Sequence, residues 1–201
     1  MSDVLNRCAR TFGTSPPQGL FYHFDHALRF ELAGDLEGAV PRFLKAYDRA
    51  NVIASSLFAD QPDPVCLLSY FSETEAPERA HFPEELLQPL AIDSASIIHL
   101  GGSFSADDEM FRQWVQIDPP PVTGVVLWSA IGADLGIGPN LPGWLYLVDF
   151  ERRLIVHPYD DRGMDVIAMD RETLLPLYRE FGGWLLGYDR NRMDDVFGSK
   201  V

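Results

Sequence analysis

Leu154-Ile155-Val156-His157-Pro158-Tyr159-Asp160-Asp161-Arg162-Gly163-Met164-Asp165-Val166-Ile167-Ala168 reads as two short apolar runs on either side of a polar turn. Apolar runs of roughly four to eight residues bounded by turn residues are the mark of strands. The turn, Asp160-Asp161-Arg162-Gly163, holds two aspartates, whose side chains bond to nearby backbone N–H groups. Its glycine can take the left-handed conformation that closes such loops. A third run, Trp144 to Phe150, precedes them at hairpin spacing. The spacing predicts an antiparallel meander of three strands: Trp144 to Phe150, Leu154 to Tyr159 and Met164 to Met169.

Working outward, Asp170 or Thr173 is placed to cap a helix whose buried stripe is Leu174, Leu177, Tyr178 and Phe181. Gly182-Gly183 stops it, and a short polar helix from about Asp189 to Phe197 follows. Upstream, Phe43, Ala46, Tyr47, Ala50, Ile53, Ala54, Leu57 and Phe58 recur at three- and four-residue steps and form one long helix face. Pro41 belongs to its first turn, where a missing N–H costs little. Val65 to Phe71, Ser96 to Leu100 and Met110 to Ile117 read as strands, the second stopped by Gly101-Gly102. The aromatic alternation of Leu20 to Leu32 predicts another strand. Further helices are expected from about Asp3 to Thr11, from Pro83-Glu84-Glu85, and from Val122 to Leu135. Gly34-Asp35, Ala39, Phe43 and Ala46 have the spacing of one tetratricopeptide repeat, but such repeats bury their faces only by stacking, and no second copy follows.

These elements make an α+β fold: a largely antiparallel sheet with packed helices, its C-terminal three-strand meander followed by helices. Residues 1–201 are expected to form a single α+β domain, with a subdomain division near residue 105 as the alternative.

The chain has 201 residues, 46% hydrophobic and 23% charged, a balance that suits a folded protein rather than a disordered one. Lysine plus arginine number 16 and aspartate plus glutamate 30, a net charge of −14. Nucleic acid and anionic membrane would be repelled, whereas a basic partner protein suits such a surface. No apolar run approaches the roughly 18 residues of a membrane span. The start lacks a signal region, so a cytoplasmic location is expected. Cys8 and Cys66 are far apart and form no CxxC pattern, which argues against a disulfide framework or a structural zinc site.

The meander motif continues into Glu172-Thr173-Leu174, Leu177-Tyr178, Trp184-Leu185-Leu186 and Tyr188-Asp189-Arg190, ahead of Asp194 and Phe197. With its His-x-Tyr-Asp-Asp-Arg-Gly turn and Tyr-Asp-Arg ending, this pattern resembles the bacterial domain-of-unknown-function 3885 family. Phe21-Tyr22, then Arg29-Phe30-Glu31-Leu32, resemble that family's early strand, and Arg49 to Phe58 its long helix. The resemblance covers about Phe21 to Phe197. The strong acidity and the glycine- and proline-rich middle depart from typical members. The resemblance implies a bacterial origin and a shared fold, and no activity.

Three groups of residues are candidates for chemistry. His157, Tyr159, Asp160, Asp161, Arg162 and Asp165 surround one turn; their carboxylates could hold a hard cation and support metal-assisted hydrolysis. The plainer reading is turn chemistry, with Arg162 neutralising a neighbouring carboxylate. Tyr188, Asp189 and Arg190 form the second group, in which Asp189 is placed to cap the last helix. Arg29 and Glu31 form the third, two apart on one strand face, either exposed or a buried pair. No GxSxG elbow is present, and Gly132 to Gly138 lacks the strand-to-helix setting of a phosphate loop. No metal site or cofactor is therefore expected. The favoured expectation is a non-catalytic, accessory or immunity-type domain that binds a basic partner; the alternative is a metal-assisted hydrolase-like enzyme using His157, Asp160, Asp161 and Asp165.

Overall fold

The computed structural model describes residues 3–59, 63–75, 86–105 and 109–198. Its strands are β1 (Ala27–Glu31), β2 (Val65–Ser72), β3 (Ile97–Ser105), β4 (Met110–Ile117), β5 (Trp144–Asp149), β6 (Leu154–Pro158) and β7 (Gly163–Ala168). They form one sheet in the order β1-β7-β6-β5-β2-β4-β3, antiparallel throughout. The predicted meander is its middle, and β3 and β4, on either side of residue 105, are neighbours in it. The helices are α1 (Asp3–Phe12), α2 (Leu20–His23), α3 (Ala39–Phe58), α4 (Thr123–Gly132), α5 (Arg171–Glu180) and α6 (Arg190–Phe197). The architecture is thus α+β, with the C-terminal meander followed by helices.

Period-two alternation sorts the sheet into two unlike faces. One carries Leu28, Phe30, Val156, Val166, Leu145, Leu147, Cys66 and Leu68, all buried. The helical layer of α3, α4 and α5 packs there: α3 lies against α4, and Phe181 meets Phe30 edge-on at 6.5 Å. The other face carries Arg29, Asp165, His157 and Tyr146 across β1, β7, β6 and β5, with Ser69 of β2 opposite Trp144. The chain from Pro17 through α2 crosses this face, where Tyr146 Oη donates to the Pro17 carbonyl at 3.4 Å.

Leu20 to Leu32 is not one strand. Leu20 to His23 are helical, and the Phe21 N–H donates to the Asp165 carboxylate instead of to a neighbouring strand. After Gly19, at φ +67°, the chain makes the single turn of α2, and β1 begins only at Ala27. Gly101-Gly102 does not stop β3 either. Gly101, at φ +97°, sits at a register shift that lets the strand run on, and a side chain on Gly102 would collide with that of Gln113. The predicted start at Pro83-Glu84-Glu85 lies outside the described residues. No helix among the described residues is long and apolar enough to cross a membrane.

Candidate functional site

Antiparallel pairing sets Arg29 opposite Asp165, and Asp165 opposite His157. Asp165 is fully buried. Arg29 grips it with two parallel bonds, Nε to Oδ1 at 2.8 Å and Nη2 to Oδ2 at 3.0 Å. The Phe21 N–H adds a third at 3.1 Å. Arg29 Nη1 turns the other way, to Asp189 Oδ2 at 3.3 Å, and Tyr22 Oη donates to Asp189 Oδ1 at 3.2 Å. The guanidinium lies over the rings of Phe21 and Tyr22, 4.8 and 4.6 Å from their centroids. Burial alone would lower the Arg29 pKa, but its hydrogen bonds to Asp165 and that carboxylate's charge outweigh burial and push it up. Two carboxylates share one guanidinium, so the group keeps one net negative charge. Asp189 therefore does not cap α6: it stands at the N-terminus of that helix, but its side chain makes no capping bond there. Arg29 pairs with Asp165 rather than with Glu31, its neighbour on the same strand face.

His157 continues the row, 1% exposed. Its Nδ1 lies 2.8 Å from the Leu145 carbonyl, which can only accept, so Nδ1 carries the proton and Nε2 the lone pair. Burial pushes its pKa down to about 4 and keeps the ring neutral. The ring stacks on Tyr146 at 4.4 Å. Tyr146 Oη accepts from Arg112 Nη2 at 2.8 Å, while Arg112 Nε donates to Ser69 Oγ at 3.0 Å. Burial pushes the Tyr146 phenol up to about 12.

The two turn aspartates diverge. Asp160 accepts from the Arg162 backbone N–H and from Arg162 Nε, both at 2.7 Å. Asp161 accepts from Arg42 Nε of α3 at 2.7 Å. Gly163 is not at positive φ. Its hydrogen makes room for the Tyr159 ring: a Cβ there would overlap the hydroxyl and fall 2.7 Å from the Phe30 carbonyl oxygen.

A cleft of about 360 Å³ opens above this row, lined by Gln18, Gly19, Trp144, His157 and Tyr159. The Arg29–Asp165 pair and Asp160, with Arg162 reaching across to Asp134 at 3.5 Å, complete the lining. Tyr188, next to Asp189, is outside the cleft lining and 89% exposed. Arg190 ties α6 to the turn after α5, donating to Asp194 and to the Gly182 carbonyl, each at 2.7 Å. Trp144, Tyr146, Arg112, Asp134 and Tyr22 belong to the site but were not among the sequence candidates. The detectable signal was the strand alternation: setting Phe111, Gln113, Val115 and Ile117 on one side of β4 leaves Arg112 and Trp114 together on the other.

A metal-assisted hydrolase needs its carboxylates to converge, and Asp160, Asp161 and Asp165 each close on a different arginine. Among the described residues no group of three His, Cys, Asp or Glu side chains could hold a metal ion. Burial pushes the thiols of Cys8 and Cys66 up to about 11 and 12, so neither is a ready nucleophile. The site brings together a neutral imidazole, aromatic rings and arginine-paired carboxylates.

Over residues 5–189 the chain matches the model of a family described as a domain of unknown function (DUF3885). No curated protein and no solved structure matches it.

Proposed function

The chain belongs to the DUF3885 family, and we propose that it is a non-catalytic protein-binding domain. It covers a basic partner in the bacterial cytoplasm, as an accessory or immunity-type protein does. The observation that carries this reading is the commitment of the motif's carboxylates to arginines. Asp165, Asp160 and Asp161 are each tied to a guanidinium, which fixes the turn and leaves these carboxylates paired. Arginines 10, 29, 42, 152, 153, 162, 171 and 190 are all ion-paired, so much of the chain's positive charge is neutralised locally. The chain as a whole carries a net charge of −14. Beside the Arg29 network, Tyr22 and Tyr188 are exposed at 52% and 89%, a feature of surfaces that bury aromatic anchors on binding.

The test is affinity capture from lysate of the source bacterium, followed by calorimetry of the purified pair at about 50 and 300 mM salt. The expected result is one basic protein whose affinity falls at least ~10-fold at the higher salt. An acidic partner, no partner, or tight binding indifferent to salt would overturn the reading.

A further inference from the structure

We propose that the outer edge of β3 is a docking site for an extended segment of a partner protein, uncharged at its centre and flanked by lysine or arginine, which adds to the seven-stranded sheet as one more strand. The site lies at the opposite edge of the sheet from β1 and Tyr22, and it does not depend on the basic-partner reading. The two edges differ. β1 is covered: the Leu186 N–H donates to the Arg29 carbonyl at 2.9 Å, and Phe30 is bridged to Leu185. β3 is the last strand on the other side, and among the described residues no strand pairs with its outer edge. The bond from the Asp118 N–H to the Ser96 carbonyl, at 2.8 Å, sets the phase of the β3–β4 ladder. Alternation from there turns Gln116, Trp114 and Arg112 of β4 towards β3, and their partners Ile98, Gly101 and Ser103 towards β4. His99, Gly102 and Phe104 therefore turn their N–H and C=O groups outward, and none of these groups is bonded among the described residues. Such a row is a template for another strand.

The usual guards of an edge are missing from it. β3 is nine residues long and contains no charged residue and no proline. Its one irregularity, the bulge at Gly101, lets the strand run on. Ile98 and Phe104 are 42% and 59% exposed, and Phe104 rests edge-on against Phe111 at 5.3 Å. A strand laid along this edge sets its side chains beside these two and takes their apolar surface out of water. Charge then chooses the occupant. Asp93 and Asp118 are exposed at one end of β3 and Glu109 at the other. The sequence holds no lysine or arginine from residue 86 to 111. A second copy of β3 would bring acidic ends against acidic ends in either direction of pairing, and like charges set opposite each other repel. A segment with basic flanks meets opposite charge at both ends. Backbone bonds supply the affinity, and the flanks select the partner.

The experiment follows the backbone amide signals of His99, Gly102 and Phe104 in the ¹⁵N-labelled full chain by NMR. Three end-blocked peptides are titrated in at about 50 mM salt. One is Lys-Lys-Val-Thr-Val-Thr-Val-Lys-Lys, the second has glutamate for every lysine, and the third is the lysine peptide N-methylated at its central Val-Thr-Val-Thr-Val. The lysine peptide is expected to give saturating shifts at the three amides and to slow their hydrogen exchange at least ~10-fold. The glutamate peptide should bind at least ~10-fold more weakly. The N-methylated peptide keeps the charge but loses the donors of a strand, and should leave the three amides unmoved. Phe104→Lys and Ile98→Lys fall on exposed side chains that do not threaten folding. Each should weaken the lysine peptide ~10-fold. No shifts at the three amides, equal binding of the N-methylated peptide, or constants unchanged in both variants would overturn the edge as a strand site. Equal binding of the glutamate peptide would overturn the basic flanks of its occupant. A parent chain that sediments as a dimer, and as a monomer in Phe104→Lys, would give the edge to a second copy and overturn the partner segment.

Discussion

The two faces of the sheet are built on opposite principles from the same strands. Under α3, α4 and α5, side chains such as Leu68, Leu147, Val156 and Phe30 are interchangeable in kind: apolar, buried and held by shape. Under Pro17 and α2, Arg29, Asp165, His157 and Tyr146 are held by direction, each through hydrogen bonds to named partners. The first face gains its stability from area removed from water. The second removes charges from water and recovers that cost only while every partner is present. The polar face is therefore the more fragile to single changes.

The largest effect should come from Asp165→Ala. It strands the buried Arg29 guanidinium beside one remaining carboxylate and leaves the Phe21 N–H without its acceptor. Unfolding in urea is expected to show a loss of about 3–5 kcal/mol. Leu68→Ala, across the sheet, should cost about 2–5 kcal/mol by leaving a cavity. The contrast lies in the rescue. Replacing Arg29 and Asp165 together by methionine and leucine should recover most of the loss, because an absent pair needs no solvation. If the double variant is as unstable as the single one, the polar face is held by shape like the other, and the contrast collapses.

The second effect is on pH dependence, which only the polar face should show. His157 has its pKa lowered by burial from 6.5 to about 4. Between those values the unfolded chain binds a proton that the folded chain refuses, so stability rises with pH across the window. It is fully present above about 6.5 and lost as pH falls towards 4. The contribution is about 3 kcal/mol. It is read as the difference between the parent and His157→Phe in urea unfolding from pH 7 to 4, since groups common to both cancel. Parallel curves would show that His157 is not held neutral by its burial.

A third, smaller effect tests the turn. Gly163→Ala places a methyl against the Tyr159 ring and the Phe30 carbonyl, and should cost about 1–3 kcal/mol by thermal or urea unfolding. No cost would mean that the ring yields freely and that the glycine is not there for the close approach.

Much of the apolar face was legible in the sequence, because its signal is a period. The helix stripe of α3 and one side of β4 repeat their apolar residues at the spacing of the element, and the meander β5–β7 shows as short apolar runs set off by turns. The polar face was legible only in part. His157, Asp165, Arg29 and Asp189 could be singled out as residues, but Arg29 and Asp189 are 160 positions apart, and no local pattern says that they meet. Asp189 therefore read as a cap and Gly163 as a left-handed turn, since local chemistry offers both roles. The α2 turn was hidden for the same reason. Its aromatic residues carry a strand's composition, while the bond from the Phe21 N–H to Asp165, 144 residues away, fixes a helical turn.

The smallest effect on stability should belong to Tyr188, where the comparison passes from folding to binding. Trp184, four positions earlier, stacks on Phe181 at 5.1 Å and lies under the Arg49 guanidinium. Tyr188 is 89% exposed. Tyr188→Ala should leave the unfolding free energy within about 0.5 kcal/mol of the parent. In the proposed binding function the same change should weaken the captured basic partner at least ~10-fold, because burying a rigid aromatic at low entropic cost is how such a residue contributes to an interface. Trp184→Ala should do the reverse, lowering stability while affecting the partner only through folding. If Tyr188→Ala instead destabilises the chain and spares binding, that corner of the molecule belongs to the fold, and the interface lies elsewhere on the acidic surface.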